Sequence, residues 1–255
     1  MFPTHKVVKK TALTALKNNW PGAIAAAMLF VFLCIIGSLV ASLLQFATNL
    51  FIANLVLAAL TIFVIFPFFL GVLGFFRAIA FEGSADIKYI FYPFLDTKNY
   101  FRALSFSVNF IIRLFFVCFA AMLPAIITRV LSYNSTYKAL GGGVPLWAPG
   151  LSVVSVMLGI AGAALSFVVL LRYYAAPFLF VANEKLSAKE VLKASRKITM
   201  GRKADFFFLM ISLLGWIALS LLCLPLIFTA PYFFMVYIVH CRFSVAAYNK
   251  SIKEI

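Results

Sequence analysis

Hydrophobic residues along the chain form long uncharged runs separated by short basic segments. Residues 18–76 make up 59 consecutive positions without a charged side chain, and residues 139–171 and 206–239 make up two more runs of 33 and 34 positions. A helix rises about 1.5 Å per residue, so roughly 20 apolar residues cross the hydrocarbon layer of a bilayer. The runs are therefore long enough to hold several membrane-spanning helices.

Polar residues and prolines divide these runs into six predicted spans. A polar cluster at 45–54 separates two spans within the first run, and Pro225 and Pro231 divide the last run. Another apolar segment is interrupted by Arg113. The spans are predicted near 21–44, 52–77, 103–130, 150–180, 206–224 and 228–248. The predicted fold class is all-α, a polytopic membrane helix bundle of about six transmembrane helices, with residues 1–255 in a single integral membrane domain.

Composition excludes the other broad classes of protein. Hydrophobic residues make up 65% of the 255 positions and charged residues 11%, against about 45–50% and about 25% in soluble domains. A soluble fold of this size cannot bury so much apolar surface, and disordered chains are poor in such residues. The first apolar segment follows basic residues, as in a signal peptide. Because a second span follows at once, an uncleaved first helix is the favoured interpretation.

The basic residues predict the orientation in the membrane. Nineteen of the 22 Lys and Arg residues fall in the N-terminal tail, the loops after the second and fourth spans, and the C-terminal tail. Only Arg129 and Lys138 fall on the opposite side. By the positive-inside rule, we expect a multi-pass protein of the cytoplasmic membrane with both termini in the cytoplasm. The same asymmetry explains the net charge of +15, so we expect no nucleic-acid partner.

A cytoplasmic amphipathic helix is predicted over residues 187–200. Ser187-Ala-Lys-Glu190 has the pattern of a capping box, and Gly201 is a natural stop. One face carries Ala188, Val191, Leu192, Ser195, Ile198 and Thr199, and the other carries Lys189, Lys193, Arg196 and Lys197. Two interpretations are open: the helix lies on the anionic inner leaflet with its basic residues as lipid contacts, or it packs against its own bundle.

Arg113 is the one charge well inside a predicted span. Ser105, Asn109 and Arg113 are spaced four residues apart and share one helix face. No predicted span contains a carboxylate, so a buried guanidinium would need carbonyls, water or an anionic ligand. These three residues are therefore the candidate anion or polar-cavity site. The alternative is that the Arg113 side chain extends to the inner interface.

The spans contain features typical of helix packing. Small residues follow one another in the fourth span: Gly159, Gly162, Ala163, Ala164 and Ser166. Such residues allow close approach of a neighbouring helix. Pro67 and Pro124 should bend the second and third spans.

Chemical motifs are missing from the sequence. No metalloprotease, serine-hydrolase, phosphate-loop or dinucleotide pattern occurs, and the four cysteines lie far apart. All seven acidic residues fall in the predicted cytoplasmic segments. The predicted spans therefore contain no carboxylate that could couple transport to protons or sodium ions. We therefore expect no enzymatic activity, no metal and no cofactor.

Several sequence segments resemble those of a bacterial membrane family. The segments are Leu16-Lys-Asn-Asn-Trp20, Arg172-Tyr-Tyr-Ala-Ala-Pro177, Ser195 with Met200-Gly201 and Lys203, Ser212 with Gly215-Trp216, and Pro231-Tyr232. They are similar to an uncharacterised six-helix integral membrane family, the domain of unknown function 975 type, common in Firmicutes. The pattern also resembles the membrane domain of some glycerophosphodiester phosphodiesterases. The resemblance implies a six-helix fold and a membrane location, and it implies no activity.

Three functional interpretations follow. The first is a non-enzymatic transporter-like or accessory membrane subunit, whose partners are the lipid bilayer, anionic phospholipid at the inner leaflet and a second membrane protein. The second is a lipid-handling membrane protein or an accessory to a phospholipid-related enzyme. The third is a stand-alone small-solute permease.

Overall fold

The fold is helical throughout the part of the chain that the structure describes. This computed structural model describes residues 4–138, 148–220 and 225–253, and none of them lies in a strand. The helices are α1 (His5–Leu16), α2 (Trp20–Ala47), α3 (Leu50–Leu60), α4 (Phe66–Glu82), α5 (Tyr92–Leu95), α6 (Thr97–Lys138), α7 (Ala148–Leu170), α8 (Ala176–Ala182), α9 (Ala188–Ile198), α10 (Lys203–Ile211), α11 (Leu214–Ser220) and α12 (Leu226–Lys253). The predicted all-α class is confirmed.

Five helical stretches among the described residues are long and apolar enough to cross a membrane. They are Trp20–Ala47, Leu50–Glu82, Thr97–Tyr133, Gly150–Leu170 and Leu226–Lys250. Each overlaps one of the predicted spans. The prediction of a membrane protein is therefore supported by the lengths of the helices as well as by composition.

Two of the six predicted spans differ from the helices in the structure. The span predicted at 150–180 ends at Leu170, and a turn over 171–175 separates α7 from the short helix α8. Pro177 follows that turn at the start of α8, where its missing N–H costs no helical hydrogen bond.

The span predicted at 206–224 is not one helix in the structure. It consists of α10 and α11, while residues 221–224 lie outside the described ranges. The break occurs at Ser212, whose hydroxyl donates to the Leu209 carbonyl at 2.6 Å. The carbonyl of Ser212 in turn accepts a hydrogen bond from Lys9 Nζ at 2.8 Å. The Ser212 N–H keeps its helical bond to the Phe208 carbonyl at 2.9 Å, and side-chain groups bond the carbonyls of Leu209 and Ser212 at the break.

The second span contains the irregularity that Pro67 predicts. A π-helical turn, Thr61–Ile65, joins α3 to α4. Proline has no N–H, so Pro67 cannot donate to the carbonyl of Phe63 four residues earlier. The hydroxyl of Tyr100 donates to that carbonyl at 3.1 Å. A side chain from α6 therefore satisfies the backbone acceptor that the proline leaves without its helical donor.

The chain divides into two compact units, the first formed by Met1–Phe110 with Tyr173–Ile255. In this unit α12 contacts α1, α2, α4, α9 and α11. Phe75, Phe76 and Met235 are fully buried, and the rings of Phe76 and Phe234 stack with centroids 5.2 Å apart. The core of the first unit therefore forms where α4 meets α12.

The second unit comprises Ile111–Arg172. Here a Cβ at Gly162 would lie 2.5 Å from the carbonyl oxygen of Ala121, so α6 and α7 approach closely at this glycine. Ser132 and Ser152 share a hydrogen bond of 3.0 Å, and Arg129 Nη1 donates to Ser152 at 3.4 Å. Close approach at the small residues of the fourth span, as predicted, is confirmed at Gly162.

Candidate functional site

The first unit brings several predicted cytoplasmic segments together at the end of α4. Asn19, just before α2, donates through Nδ2 to the carbonyl of Gly83 at 2.8 Å. Gly83 ends α4 with a φ of 82°, which favours glycine. Arg242 of α12 donates to the Ala80 carbonyl at 3.1 Å, and its guanidinium lies 4.5 Å from the centre of the Phe81 ring. The start of α2, the end of α4 and the C-terminal half of α12 are therefore neighbours.

A cavity of about 230 Å³ lies beside α4 in the same unit. Its polar lining consists of Arg77, Tyr89, Tyr92, Asn99, Arg102 and Glu184, and we name this cavity the arginine pocket. The lining comes from α4, the segment 87–95, the start of α6 and the residues after α8. The cavity therefore depends on long-range packing rather than on one local motif.

A glycine allows the 87–91 segment to lie against α4. A Cβ at Gly71 would overlap the carbonyl oxygen of Ile90, so only glycine permits this separation of the two backbones. The segment is a 3₁₀ turn whose second backbone donor, the Lys88 N–H, is accepted by the Asp86 side chain at 3.0 Å. This packing places Tyr89 and Tyr92 on the cavity wall.

Arg102 connects the start of α6 to the end of α8. Its Nη2 donates to the carbonyls of Phe180 at 3.0 Å and Asn183 at 2.6 Å, which are acceptors at the C-terminal end of α8. The guanidinium also lies 4.1 Å from the centre of the Phe180 ring. Its Nε is buried and has no hydrogen-bond partner in the described structure. Arg102 is thus held by α8 and keeps donor capacity beyond those two bonds.

Arg77 has even more free donor capacity. It lies on α4, with its guanidinium 5.5 Å from the centre of the Phe81 ring. Its Nε is buried without a partner, and the described residues give its guanidinium no hydrogen bond or ion pair. A guanidinium carries five N–H donors and a permanent positive charge. Arg77 is therefore the residue of the arginine pocket with the most side-chain donors that no described residue bonds.

Tyr92 and Glu184 form the acidic side of the arginine pocket. The Tyr92 hydroxyl donates to Glu184 Oε1 at 3.1 Å. Burial, followed by the nearby charge of Glu184, raises the pKa of Tyr92. The phenol therefore stays protonated and keeps donating to the carboxylate. Among the described residues, neither Arg77 nor Arg102 forms an ion pair within 4.0 Å of Glu184.

The predicted helix over 187–200 is present as α9. The Ser187 hydroxyl accepts from the Glu190 N–H, and the Glu190 carboxylate accepts from the Ser187 N–H at 2.8 Å, so the capping box is confirmed. Glycine follows as predicted, because Gly201 has a φ of 80°.

The two faces of α9 have different environments. Val191, Leu192, Ser195 and Ile198 are buried, and α9 contacts α8 and α12. Lys189, Lys193, Arg196 and Lys197 are exposed, and we name them the α9 basic face. The apolar face of α9 therefore packs against other helices of the protein, as the second of the two interpretations predicts. Contact of the basic face with lipid stays a prediction.

The predicted site around Arg113 forms no polar cluster among the described residues. Asn109 Nδ2 donates to the carbonyl of Ser105 at 2.8 Å, which is a bond within α6. Arg113 is partly exposed and makes no hydrogen bond or ion pair with the described part of the chain. Its binding of an anion, or its extension to the interface, therefore stays a prediction.

A buried polar network lies where α12 meets α10. The Tyr174 hydroxyl lies 3.3 Å from His240 Nε2 and 3.1 Å from the Ser244 hydroxyl. The ring of Tyr174 stacks on Phe206 with centroids 4.1 Å apart, and Arg202 Nη1 donates to the Ser244 carbonyl at 2.8 Å. This network fixes Tyr174 and α10 against α12.

Sequence reasoning missed both the arginine pocket and the Tyr174 network. The pocket combines residues about 25 and 80 positions apart, so no local spacing reveals it. One usable signal existed: Arg77 and Arg102 each lie where an apolar run meets the basic loop between the second and third spans. Within the described ranges, no three His, Cys, Asp or Glu residues are arranged to hold a metal ion.

Comparison with known proteins supplies the family. No curated protein and no solved structure matches the chain. A family model described as "Protein of unknown function (DUF975)" matches residues 1–254, which confirms the resemblance drawn from the sequence segments. The resemblance to the phosphodiesterase-associated membrane domain gains no support from these comparisons. The chain therefore belongs to the family described as protein of unknown function (DUF975).

Proposed function

We propose that this protein is a non-enzymatic accessory protein of the cytoplasmic membrane that binds anionic phospholipid at its cytoplasmic surface. The proposal combines the first interpretation of the sequence, an accessory membrane subunit, with the second, a lipid-handling protein. The proposal is compatible with a membrane-protein partner, because such a partner and the lipid would both contact the cytoplasmic surface of this protein.

The observation that carries the proposal is the exposure of the α9 basic face. The four side chains point away from the buried residues of the same helix. Glu190 is the one acidic residue of α9, and its carboxylate is bonded to Ser187 rather than to these basic side chains. Each basic residue near an anionic membrane surface contributes about 1 kcal/mol of binding. Because the apolar face is occupied by the protein, the attraction to lipid is electrostatic rather than insertive.

The topology that this function needs has six crossings and cytoplasmic termini. The basic asymmetry of 19 residues against two supports it. The contacts of Asn19 with Gly83 and of Arg242 with Ala80 support it as well, because they join the N-terminal, 83–96 and C-terminal segments. The fifth crossing would be made by α10 and α11, which run antiparallel to α12: Arg202 bonds Ser244, and Trp216 contacts Tyr232.

Retention of lipid by the purified protein tests the proposal. The full-length protein is reconstituted in nanodiscs that contain equal parts of phosphatidylglycerol and phosphatidylcholine. It is then extracted in mild detergent, and the lipids that remain bound are counted by native mass spectrometry. We expect phosphatidylglycerol to be enriched over phosphatidylcholine. The double variant Lys193→Gln/Lys197→Gln should lose most of that enrichment.

A matched variant controls for charge alone. Lys17→Gln/Lys98→Gln removes two exposed lysines outside α9 and should leave most of the enrichment in place. Equal retention of the two lipids by the unaltered protein would overturn the proposal. Hydrolysis of any phospholipid by the purified protein would contradict its non-enzymatic part.

A further inference from the structure

The arginine pocket contains guanidinium N–H donors that no described residue bonds. Arg77 has no hydrogen-bond partner among the described residues, and the Nε atoms of Arg77 and Arg102 are both buried without one. Buried polar groups in native proteins are almost always bonded to protein, water or ligand. A protein that needed only packing here could place an apolar side chain at residue 77. The pattern therefore points to an acceptor that enters the cavity from outside.

The charges in the cavity define the chemistry of that acceptor. Two guanidinium groups and one carboxylate give the lining a net charge of about +1 at neutral pH. Guanidinium forks match the oxygen atoms of phosphate and carboxylate groups, and Tyr89 and Asn99 add neutral donors to the wall. Glu184 disfavours a second carboxylate beside it. It would instead attract a cationic substituent of the same ligand.

The size of the cavity limits the ligand. A volume of about 230 Å³ is well above the roughly 10–15 Å³ of such space that one water molecule needs. It is smaller than the roughly 300–1,000 Å³ of pockets that enclose drug-sized molecules. One phosphate group with a short substituent fits these limits, and a nucleotide exceeds them.

We propose that the arginine pocket binds a phosphate ester group through Arg77 and Arg102, with Glu184 facing a cationic substituent such as the ammonium of an ethanolamine headgroup. The proposal rests on the proposed function and deepens it, because it adds a specific headgroup site to the general attraction of the α9 basic face. The phosphate ester has two sources, a phospholipid headgroup or a soluble phosphate ester. Arg102 also holds α8 in place, so its substitution could disturb folding. Substitution of Arg77 is therefore the better test of binding alone.

Binding of defined probes to the full-length protein in nanodiscs tests the site. The probes are inorganic phosphate, soluble glycerophosphoethanolamine, and phosphatidylethanolamine supplied in phosphatidylcholine nanodiscs. Isothermal titration calorimetry measures the first two, and native mass spectrometry counts the third. We expect glycerophosphoethanolamine to bind more tightly than inorganic phosphate, and Arg77→Gln to weaken its binding at least about tenfold. Lys98→Gln removes an exposed charge outside the lining and should change it less than twofold.

A second variant guards against loss of folding. Glu184→Gln removes the carboxylate that opposes an anion, so it should strengthen binding of inorganic phosphate and weaken the preference for glycerophosphoethanolamine. A misfolded protein cannot show that gain. Retention of phosphatidylethanolamine that depends on Arg77 would assign the lipid as the source. Binding of the soluble esters without retained lipid would assign the soluble source.

Two results would overturn the inference. One is the absence of saturable binding for all three probes, and the other is equal binding by Arg77→Gln and the unaltered protein when both unfold at the same temperature. Either result leaves the proposed function in place if the α9 double variant still loses phosphatidylglycerol enrichment. If that enrichment is absent from the unaltered protein while Arg77-dependent binding persists, the proposed function fails and the pocket stands.

Discussion

Helices α12 and α6 contain similar apolar stretches but use them differently. In α12, 56% of the most apolar 18-residue window is buried inside the protein, whereas in α6 none of the corresponding window is. Met235, Val236 and Ile238 of α12 are almost completely covered by protein. Phe115 and Phe116 of α6 are more than 60% exposed. One apolar pattern therefore serves as protein core in the first helix and as exposed surface in the second.

The polar residues of the two helices explain this difference. His240 and Ser244 of α12 are fully buried, and both lie within hydrogen-bonding distance of Tyr174. Burial without such partners would be costly. In α6 the amide of Asn109 bonds the carbonyl one turn earlier and requires no neighbour. Residues nearer the ends of α6, such as Arg102 and Ser132, do bond other elements, so the contrast concerns the middle of the two helices. There a polar group that bonds within its own helix can stay exposed, while one that bonds across elements requires packing.

The largest effect is expected from a substitution in the protein core, where α4 packs against α12. Phe76→Ala removes a fully buried ring that stacks on Phe234 of α12. We expect a loss of about 3 kcal/mol in the free energy of unfolding, the lower end of the Phe→Ala range, because lipid also solvates apolar groups. Thermal unfolding in detergent, followed by the fluorescence of a thiol probe that reacts with Cys241, which is buried in the folded protein, measures it.

Phe116→Ala is the matched control on α6. Its ring is 63% exposed, so its removal creates no cavity and should change stability by less than about 0.5 kcal/mol. Equal losses for the two variants would show that α6 is packed as tightly as α12, and the comparison would fail.

A smaller effect is expected where α6 does contact protein. Gly162→Ala places a Cβ 2.5 Å from the carbonyl oxygen of Ala121, so α7 must move away from α6 at a cost of roughly 1–3 kcal/mol. Gly159→Ala is the control, because its Cβ would lie 3.9 Å from Ala125, and alanine favours the helix. A stable Gly162→Ala variant with unchanged unfolding temperature would contradict the close approach of these two helices.

The smallest effect is expected at α9, which joins the α12 core through one face only. Ser187→Ala removes the capping box, so the amides of the first turn of α9 should exchange with solvent roughly fivefold faster at neutral pH, the usual cost of a lost N-cap. Hydrogen exchange with mass spectrometry measures this rate.

The pH dependence of the same exchange follows from Glu190. Hydrogen bonds from the Ser187 N–H and hydroxyl lower the pKa of Glu190 below its ordinary value of 4.5. A carboxylate with a lowered pKa stabilises the fold above its ordinary pKa, and that contribution is lost as the pH falls through the lowered value. The unaltered helix should therefore lose protection in acid, relative to intrinsic exchange, more than a Glu190→Gln variant, whose side chain has no carboxylate to protonate. Parallel acid profiles for the two proteins would exclude this role of Glu190.

Local patterns in the sequence predict the elements of this fold well. The capping box and the face of α9 depend on residues within 12 positions, and the spacing alone identifies them. Pro67 predicts an irregularity in the second span through its missing N–H, although the π-helical form of the turn at Thr61–Ile65 is known only from the structure. The break at Ser212 could not be predicted, because it depends partly on Lys9 from the far end of the chain.

The candidate site depends on contacts that a single sequence does not encode locally. Arg77, Arg102 and Glu184 come from three separate segments, and only the tertiary packing brings them to one cavity. Arg113 attracted attention because it interrupts an apolar run, which is a strong local signal. Arg77 and Arg102 lie at the ends of apolar runs, where basic residues are ordinary, so this signal alone does not distinguish a pocket from the usual basic ends of membrane spans.

The central claim is that α9 and the segments around it face the cytoplasm, and cysteine accessibility tests it most directly. The four native cysteines are replaced, and single cysteines are introduced as Ser187→Cys, before α9, and Ser135→Cys, in the segment predicted outside. A membrane-impermeant maleimide is then applied to intact cells. The account predicts labelling at residue 135 and, at residue 187, labelling only after the membrane is permeabilised. Labelling of residue 187 in intact cells would contradict it.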